Sequence, residues 1–93
     1  MYIGKSDMNW VYILESEKNS RFYIGSTGDL ARRIVEHNSG KTKSLKYLRP
    51  LKLVFQKEFA TLAMARRAEL WLKRLKSRKI LEKIIRENKI TGL

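Results

Sequence analysis

Two short apolar runs near the start of the chain, residues 10–14 and 21–25, alternate in aromatic and β-branched residues, and a polar link joins them. Such runs are typical of strands, since these side chains fit a pleated, half-buried surface. The pattern predicts an antiparallel hairpin with Tyr12 and Tyr23 on neighbouring strands. Both faces of the first strand carry large apolar residues, so we expect both faces of the sheet to be covered.

After Asp29 the spacing of apolar residues changes from that of strands to that of helices. Asp29 is a typical N-cap residue, and Asn-Ser-Gly at residues 38–40 ends the first helix, in which Arg33 and His37 lie one turn apart. Thr61 caps a second helix that runs to about residue 77 and precedes a short closing helix. The apolar side of the first helix contains Leu30, Ala31, Ile34 and Val35. The core stripe predicted for the second contains Met64, Ala65, Ala68, Trp71, Leu72 and Leu75.

Residues 51–59 predict a third strand after a polar, basic connector at 41–50. Strict alternation places Leu51, Leu53 and Phe55 on one side of this strand, and its lysines suit an exposed edge. The elements follow the order strand, strand, helix, strand, helix, helix. This order predicts an α+β fold in which a three-stranded antiparallel sheet is flanked by helices.

The 93-residue chain is long enough for one domain, which we place at residues 9–88, with a flexible leader at 1–8 and a fraying end at 89–93. Zero cysteines exclude disulfides and thiolate catalysis, and one histidine excludes a His-rich metal site. No run is apolar and long enough for a membrane span or a signal peptide. We therefore expect a cytoplasmic location and no membrane partner.

The net charge of +12 is confined to the second part of the chain. Through Gly40 five Lys/Arg balance five Asp/Glu, whereas from Lys41 onward there are sixteen Lys/Arg against four acids. A solvated basic face that keeps a small protein soluble is one explanation. An excess this one-sided more often marks a surface for a polyanion such as nucleic acid.

The order of these residues resembles that of the GIY-YIG nuclease family. The first half of its motif stands as Val11-Tyr12-Ile13, with Val in place of Gly, and the second is intact as Tyr23-Ile24-Gly25. Leu30, Arg33, His37, Pro50, Ala65, Glu69, Lys73 and Lys79 follow at the spacing of small single-domain members, so that the resemblance spans about residues 9–85. A second copy, Tyr2-Ile3-Gly4, has no strand before it and no helix motif after it, and we interpret it as a chance match.

The resemblance implies a catalytic set: Tyr12, Tyr23, Arg33, His37 and Glu69. It implies that Glu69 binds one Mg²⁺ or Mn²⁺ that is otherwise coordinated by water, and that Arg33 binds the phosphate oxygens. A tyrosine would position or deprotonate the attacking water, with its phenol pKa lowered by nearby cations. Both tyrosines are candidates for this base, with Tyr12 preferred. His37 would orient a tyrosine, bind phosphate or assist proton transfer.

Four of these five residues also have a simpler structural explanation. The two tyrosines could be ordinary core residues, and His37 a surface residue near the end of its helix. Glu69 could form an i,i+4 ion pair with Lys73, worth about 0.3–0.5 kcal/mol at a surface. The chain also departs from the family pattern, with Leu45 where members often carry Thr and Leu81 where some carry Asn.

The basic residues are expected to contact phosphates without reading bases, because one small domain has no separate reading module. They are Lys41, Lys43, Lys46, Arg49, Arg66, Arg67, Lys73 and Lys76. The sequence therefore predicts a divalent-metal-dependent endonuclease, structure-guided or weakly sequence-specific, of the kind used in DNA repair or recombination. Its expected partner is DNA, with RNA as the second candidate, and a protein partner could supply targeting to a monomer or weak dimer. The alternatives are a catalytically weak nucleic-acid-binding or partner-recruiting module, and a ribosome- or nucleoid-associated basic protein.

Overall fold

The computed structural model describes residues 8–40 and 43–90. It has three strands and three α-helices: β1 (Asn9–Ser16), β2 (Phe22–Thr27), α1 (Leu30–Asn38), β3 (Leu51–Phe59), α2 (Leu62–Leu75) and α3 (Arg78–Glu87). A 3-10 helix, Lys43–Leu48, occupies the connector for which a loop was predicted. The strands form one antiparallel sheet in the order β2-β1-β3, so the predicted α+β fold is confirmed. None of the helices described is long and apolar enough to cross a membrane.

The central strand β1 is buried on both faces, as its apolar pattern predicts. Val11 and Ile13 pack on one face against Leu72 and Ile84, from α2 and α3. The opposite face is covered by α1 and the 3-10 helix and has a second cluster: Tyr12, Leu14, Leu45 and Leu51. The sheet therefore separates two cores. The catalytic candidates Tyr12 and Tyr23 both pack in the second.

Three side chains cap the helices where the sequence places polar residues before apolar stripes. Asp29, Thr61 and Ser77 accept hydrogen bonds from the backbone N–H groups of Arg32, Met64 and Ile80, respectively. Each satisfies an N–H group that has no partner within its helix. The predicted starts of α1 and α2 are confirmed.

Asn38 has a second role beyond ending α1. Its side-chain Nδ2 donates to Leu51 O at 2.9 Å, and its Oδ1 accepts from Leu51 N at 2.7 Å. These paired bonds fix the C-terminal end of α1 to the first residue of β3. The helix that carries Arg33 and His37 is thereby fixed in position relative to the sheet.

The predicted alternation of β3 is wrong at its centre. Ile13 pairs with Phe55 and Leu14 with Leu53, so Val54 is an extra residue in the ladder. A bulge of this kind reverses the faces of the residues beyond it. Leu51 therefore lies in the Tyr12 core and Phe55 in the opposite one, although simple alternation places them together.

Three residues assigned to apolar stripes are exposed. On α1, Val35 is 68% exposed and Ala31 is exposed as well, and on α2 Met64 is 47% exposed. Each helix contacts the sheet along a narrow stripe, and these three residues lie beyond its border. Ala65, Ala68 and Leu72 form the buried side of α2 as predicted.

Candidate active site

The packing of Tyr12 depends on Gly25, its cross-strand partner on β2. A Cβ atom at Gly25 would lie 2.6 Å from Cζ of Tyr12, which is far inside van der Waals contact. The phenol ring of Tyr12 therefore lies across the glycine and reaches the edge of the sheet. Gly25, the last residue of the second half-motif, has no side chain and therefore makes room for Tyr12 of the first half-motif.

Tyr12, Tyr23 and His37 form a cluster of three rings. The Tyr12 hydroxyl lies 3.0 Å from Nε2 of His37, and both residues are almost completely buried. The ring centroids of Tyr23 and His37 are 5.0 Å apart in an edge-to-face arrangement, and those of the two tyrosines are 6.4 Å apart. The alternative that His37 is a surface residue is wrong, since it is 0% exposed.

Burial dominates the electrostatics of this cluster. Burial, together with the nearby Tyr23, raises the pKa of Tyr12 to about 12, against the opposing effect of Arg33. The expectation of a lowered phenol pKa is therefore wrong for Tyr12 in the metal-free protein. Burial also lowers the pKa of His37, and the positive charge of Arg33 acts in the same direction. His37 is consequently a neutral imidazole at pH 7.

Arg33 connects the ring cluster to the solvent. Its Nη1 donates to Oε1 of Glu36 at 3.1 Å, and its side chain is 46% exposed. Hydrogen bonds to Glu36 and to the Tyr12 hydroxyl raise the pKa of Arg33. Arg32 binds the other oxygen of Glu36 at 3.2 Å. Glu36 thus neutralises part of the positive charge beside Tyr12 in the free protein.

Glu69 approaches the same sheet edge from the α2 face. Its Oε1 accepts from the Ser26 hydroxyl at 2.5 Å, and its Oε2 accepts from Nζ of Lys73 at 2.6 Å. Ser26 follows Gly25 on β2. Its side chain therefore points to the face of the sheet opposite to the one on which Tyr12 lies over Gly25. The negative charge of Glu69 contributes to the raised pKa of Tyr12, across the edge of β2. The predicted residues are therefore arranged around the edge strand β2, with Tyr12, Tyr23 and His37 on one face of the sheet and Glu69 approaching from the other.

A cleft of about 330 Å³ runs along this edge between α1 and α2. It is lined by Ser26, Thr27, Gly28, Asp29, Arg32, Arg33, Glu36, Leu62 and Arg66. Arginines from two helices face this one cleft. Of the lining residues only Arg33 and Arg66 were among the predicted site residues.

The other predicted phosphate contacts are dispersed. Lys73 is paired with Glu69, whereas Arg67 lines a separate groove with Phe59 and Trp71. Lys46 and Arg49 lie within the connector at 41–50, where Arg49 Nε donates to Lys46 O at 2.9 Å. Lys76 is the left-handed residue that ends α2. Lys41 and the side chain of Lys43 lie outside the described residues.

Three residues of the site were missed by sequence reasoning: Ser26, Arg32 and Glu36. The i,i+4 spacing of Arg32 and Glu36 is a local signal for their ion pair. Ser26 carries no such signal, because its partner Glu69 is 43 residues away. The departures Leu45 and Leu81 are buried core residues, at 3% and 8% exposure, and supply no polar contact.

The Glu69 carboxylate is suited to bind a cation that keeps most of its coordinated water. No group of three or more His, Cys, Asp or Glu side chains is placed to hold a metal ion within residues 8–40 and 43–90. Mg²⁺ dehydrates reluctantly and is often bound through one or two carboxylates. A single carboxylate, 19% exposed and aimed by Ser26, matches that requirement.

The paired tyrosine strands, the arginine on α1 and the carboxylate on α2 define a nuclease-type fold. The model of the GIY-YIG catalytic domain matches residues 8–83, and the chain belongs to the GIY-YIG family. A UPF0213 protein of Streptococcus pneumoniae is 42% identical over 87 residues, covering 90% of this chain and 84% of that protein. The UPF0213 protein YazA of Bacillus subtilis is 36% identical over 76 residues, covering 81% and 76%.

A solved structure agrees with this assignment. The solution NMR structure of a UPF0213 protein from Bacillus halodurans aligns with a TM-score of 0.56 at 36% identity, covering 90% of this chain and 88% of that one. The predicted family is therefore confirmed, as a small GIY-YIG fold. The names of these relatives specify no activity.

Proposed function

We propose that this protein is a divalent-metal-dependent endonuclease that hydrolyses DNA phosphodiester bonds. The observation that supports it best is that Arg33 and Glu69 both act on the Tyr12 hydroxyl, which lies over Gly25 at the edge strand of the sheet, beside a basic cleft. A nuclease requires a water-activating group, a cation for the extra phosphate charge and help for the leaving oxygen. Family membership gives the nuclease-type class, and the metal and the substrate are our assignment.

In this mechanism water attacks the phosphorus atom and the P–O3′ bond breaks. The departing 3′ oxygen takes a proton from solvent water, which leaves 5′-phosphate and 3′-hydroxyl ends. Arg33 binds a non-bridging oxygen and exchanges its Glu36 partner for the phosphate. Glu69 holds the Mg²⁺ or Mn²⁺, which when bound stabilises the developing negative charge. The guanidinium carries its charge at every working pH, so phosphate binding by Arg33 does not titrate.

The proton of the attacking water has a route through the ring cluster. Because the pKa of Tyr12 is high, its phenolate is a strong base but is scarcely populated at pH 7. In the tautomer of neutral His37 that leaves Nε2 unprotonated, this nitrogen, 3.0 Å away, accepts the Tyr12 proton while Tyr12 takes one from water. Tyr23 is partly exposed beside both rings and orients the water or the phosphate.

The assignment of the base is tested with single hydroxyl deletions. Tyr12→Phe is expected to lose most of the cleavage activity and Tyr23→Phe less, because the Tyr12 hydroxyl lies 3.0 Å from Nε2 of His37. The reverse ranking would transfer the base role to Tyr23. Rates are compared at equal folded fraction, since Tyr12→Phe also removes a buried hydrogen bond and costs roughly 1–3 kcal/mol of stability.

Substrate binding is assigned to the basic cleft and its surroundings. Arg32, Arg33 and Arg66 line the cleft, and the chain as a whole carries a net charge of +12. We expect the logarithm of DNA affinity to fall linearly with the logarithm of salt concentration. A flat dependence would contradict phosphate binding, and comparison of DNA with RNA of the same sequence would identify the preferred polymer.

The decisive experiment is a cleavage assay on supercoiled, flap, forked and single-stranded DNA with Mg²⁺, Mn²⁺ or EDTA. Cutting that needs the metal and disappears in Glu69→Gln supports the proposal. Glu58→Gln, an exposed acid on β3, is the matched control and is expected to retain activity. Binding without cutting on every substrate would favour the alternative, a catalytically weak nucleic-acid-binding module.

A further inference from the structure

Both carboxylate oxygens of Glu69 are engaged in hydrogen bonds within the protein. Ser26 donates to Oε1, and the Lys73 ammonium donates to Oε2 at 2.6 Å. The Glu69 side chain is 19% exposed, so little of it faces bulk water. A divalent cation that binds Glu69 therefore meets the positive charge of the Lys73 ammonium at Oε2.

The two partners of Glu69 differ in how firmly they are held. Ser26 lies within β2, so the sheet fixes the position of its hydroxyl. The Lys73 side chain is flexible, 48% exposed and joined to the carboxylate by an i,i+4 ion pair. Ser26 can keep its bond while Lys73 moves away. The site thus combines a fixed donor with a removable one.

We propose that Lys73 is the resident counter-ion of Glu69, which must be displaced before the carboxylate binds a divalent cation. This inference rests on the proposed function, in which Glu69 is the metal ligand. Lys73 lowers metal affinity in the free protein and moves onto a DNA phosphate when substrate enters. Metal binding and DNA binding therefore strengthen each other, since each draws one partner out of the ion pair.

The first test measures Mn²⁺ affinity without DNA, from the electron paramagnetic resonance signal of unbound Mn²⁺. Lys73→Met is expected to bind Mn²⁺ about two- to fivefold more tightly than wild type, the factor that corresponds to a partly exposed ion pair. Lys73→Arg keeps the cation and is expected to match wild type. Lys83→Met, an exposed lysine on α3, controls for the change in net charge.

The second test adds a short phosphorothioate duplex, which resists cleavage. The duplex is expected to tighten Mn²⁺ binding more in wild type than in Lys73→Met, because the variant has no ammonium to displace. Equal tightening in both proteins would contradict the coupling. Circular dichroism melting confirms that each variant is folded at the titration temperature.

The outcomes separate the inference from the proposed function. An affinity in Lys73→Met that equals or falls below that of Lys83→Met overturns the counter-ion role and leaves the nuclease assignment intact. Mn²⁺ binding that is unchanged in Glu69→Gln overturns the metal assignment itself, and the inference with it.

Discussion

The two faces of the sheet are both buried, but they are built from different chemistry. The α2 and α3 face is formed by apolar side chains, both aliphatic and aromatic, such as Ile13, Leu72 and Phe55. The α1 face buries polar groups among its apolar ones, including Tyr12, His37 and Ser16. Each of these has a partner, such as the bond of 2.6 Å from Ser16 Oγ to Leu48 O.

This difference separates stability from chemistry. Apolar packing depends on area and volume, whereas buried polar groups require particular partners in particular directions. Within residues 8–40 and 43–90, every buried side-chain nitrogen or oxygen has a hydrogen-bond partner. Away from Ser26 and Glu69 at its edge, the apolar face is therefore expected to respond to substitution through stability, whereas changes to the polar face act on the site.

The largest effect is expected from Arg33→Ala. Removing the charge beside Tyr12 should lower the cleavage rate by about a hundred- to a thousandfold, with DNA affinity within about tenfold of wild type. Arg32→Ala is the matched control, since Arg32 shares the cleft and the Glu36 ion pair. Cleavage kinetics and binding are measured on one substrate. Equal rate losses in the two variants would remove the special role of Arg33.

On the apolar face, Leu72→Ala is expected to cost about 2–5 kcal/mol, because it leaves a cavity beside β1. Cleavage per folded molecule should stay close to wild type. Leu70→Ala, on the same helix but 52% exposed, should change stability by less than about 1 kcal/mol. Urea unfolding gives both values. A large activity loss in folded Leu72→Ala would mean that the two faces are not independent.

A smaller effect is expected from Gly25→Ala, which introduces a Cβ into the Tyr12 ring. Displacement of the ring should cost about 1–3 kcal/mol and break the contact with His37. Gly28→Ala is the control, because a Cβ there meets only Asn9 Oδ1, at 3.4 Å. The His37 imidazole resonances report the contact directly. Unchanged resonances in Gly25→Ala would contradict the close approach of Tyr12.

The smallest effect concerns pH. The pKa of His37 lies below its ordinary value of about 6.5 in the folded protein, because the ring is buried and Arg33 is close. As pH falls, His37 is therefore protonated in the unfolded chain at a higher pH than in the folded protein. The stability that His37 contributes is present above pH 6.5 and is lost as pH falls below it. Urea unfolding at pH 7 and pH 5 should show a larger loss in wild type than in His37→Gln. Equal losses would show that His37 does not carry this linkage.

The local architecture followed directly from the sequence. Strand alternation, N-caps at Asp29 and Thr61, and the Asn-Ser-Gly stop predicted the elements and their order, because these signals involve residues at most four apart. The ordered series from Tyr12 to Glu69 identified the family, because the order and spacing of residues along the chain are visible in the sequence. The bulge at Val54 was not predictable, since a register shift depends on the partner strand.

The arrangement of the site was decided by the tertiary structure. Tyr12 and His37 are 25 residues apart, and Ser26 and Glu69 are 43 apart, so their hydrogen bonds exist only once β2, α1 and α2 are packed together. Burial then raises the pKa of Tyr12, in opposition to the cations nearby. The sequence determined which groups the protein carries, and packing around Gly25 determined which of them touch. Desolvation is a property of that packing, which no local pattern encodes.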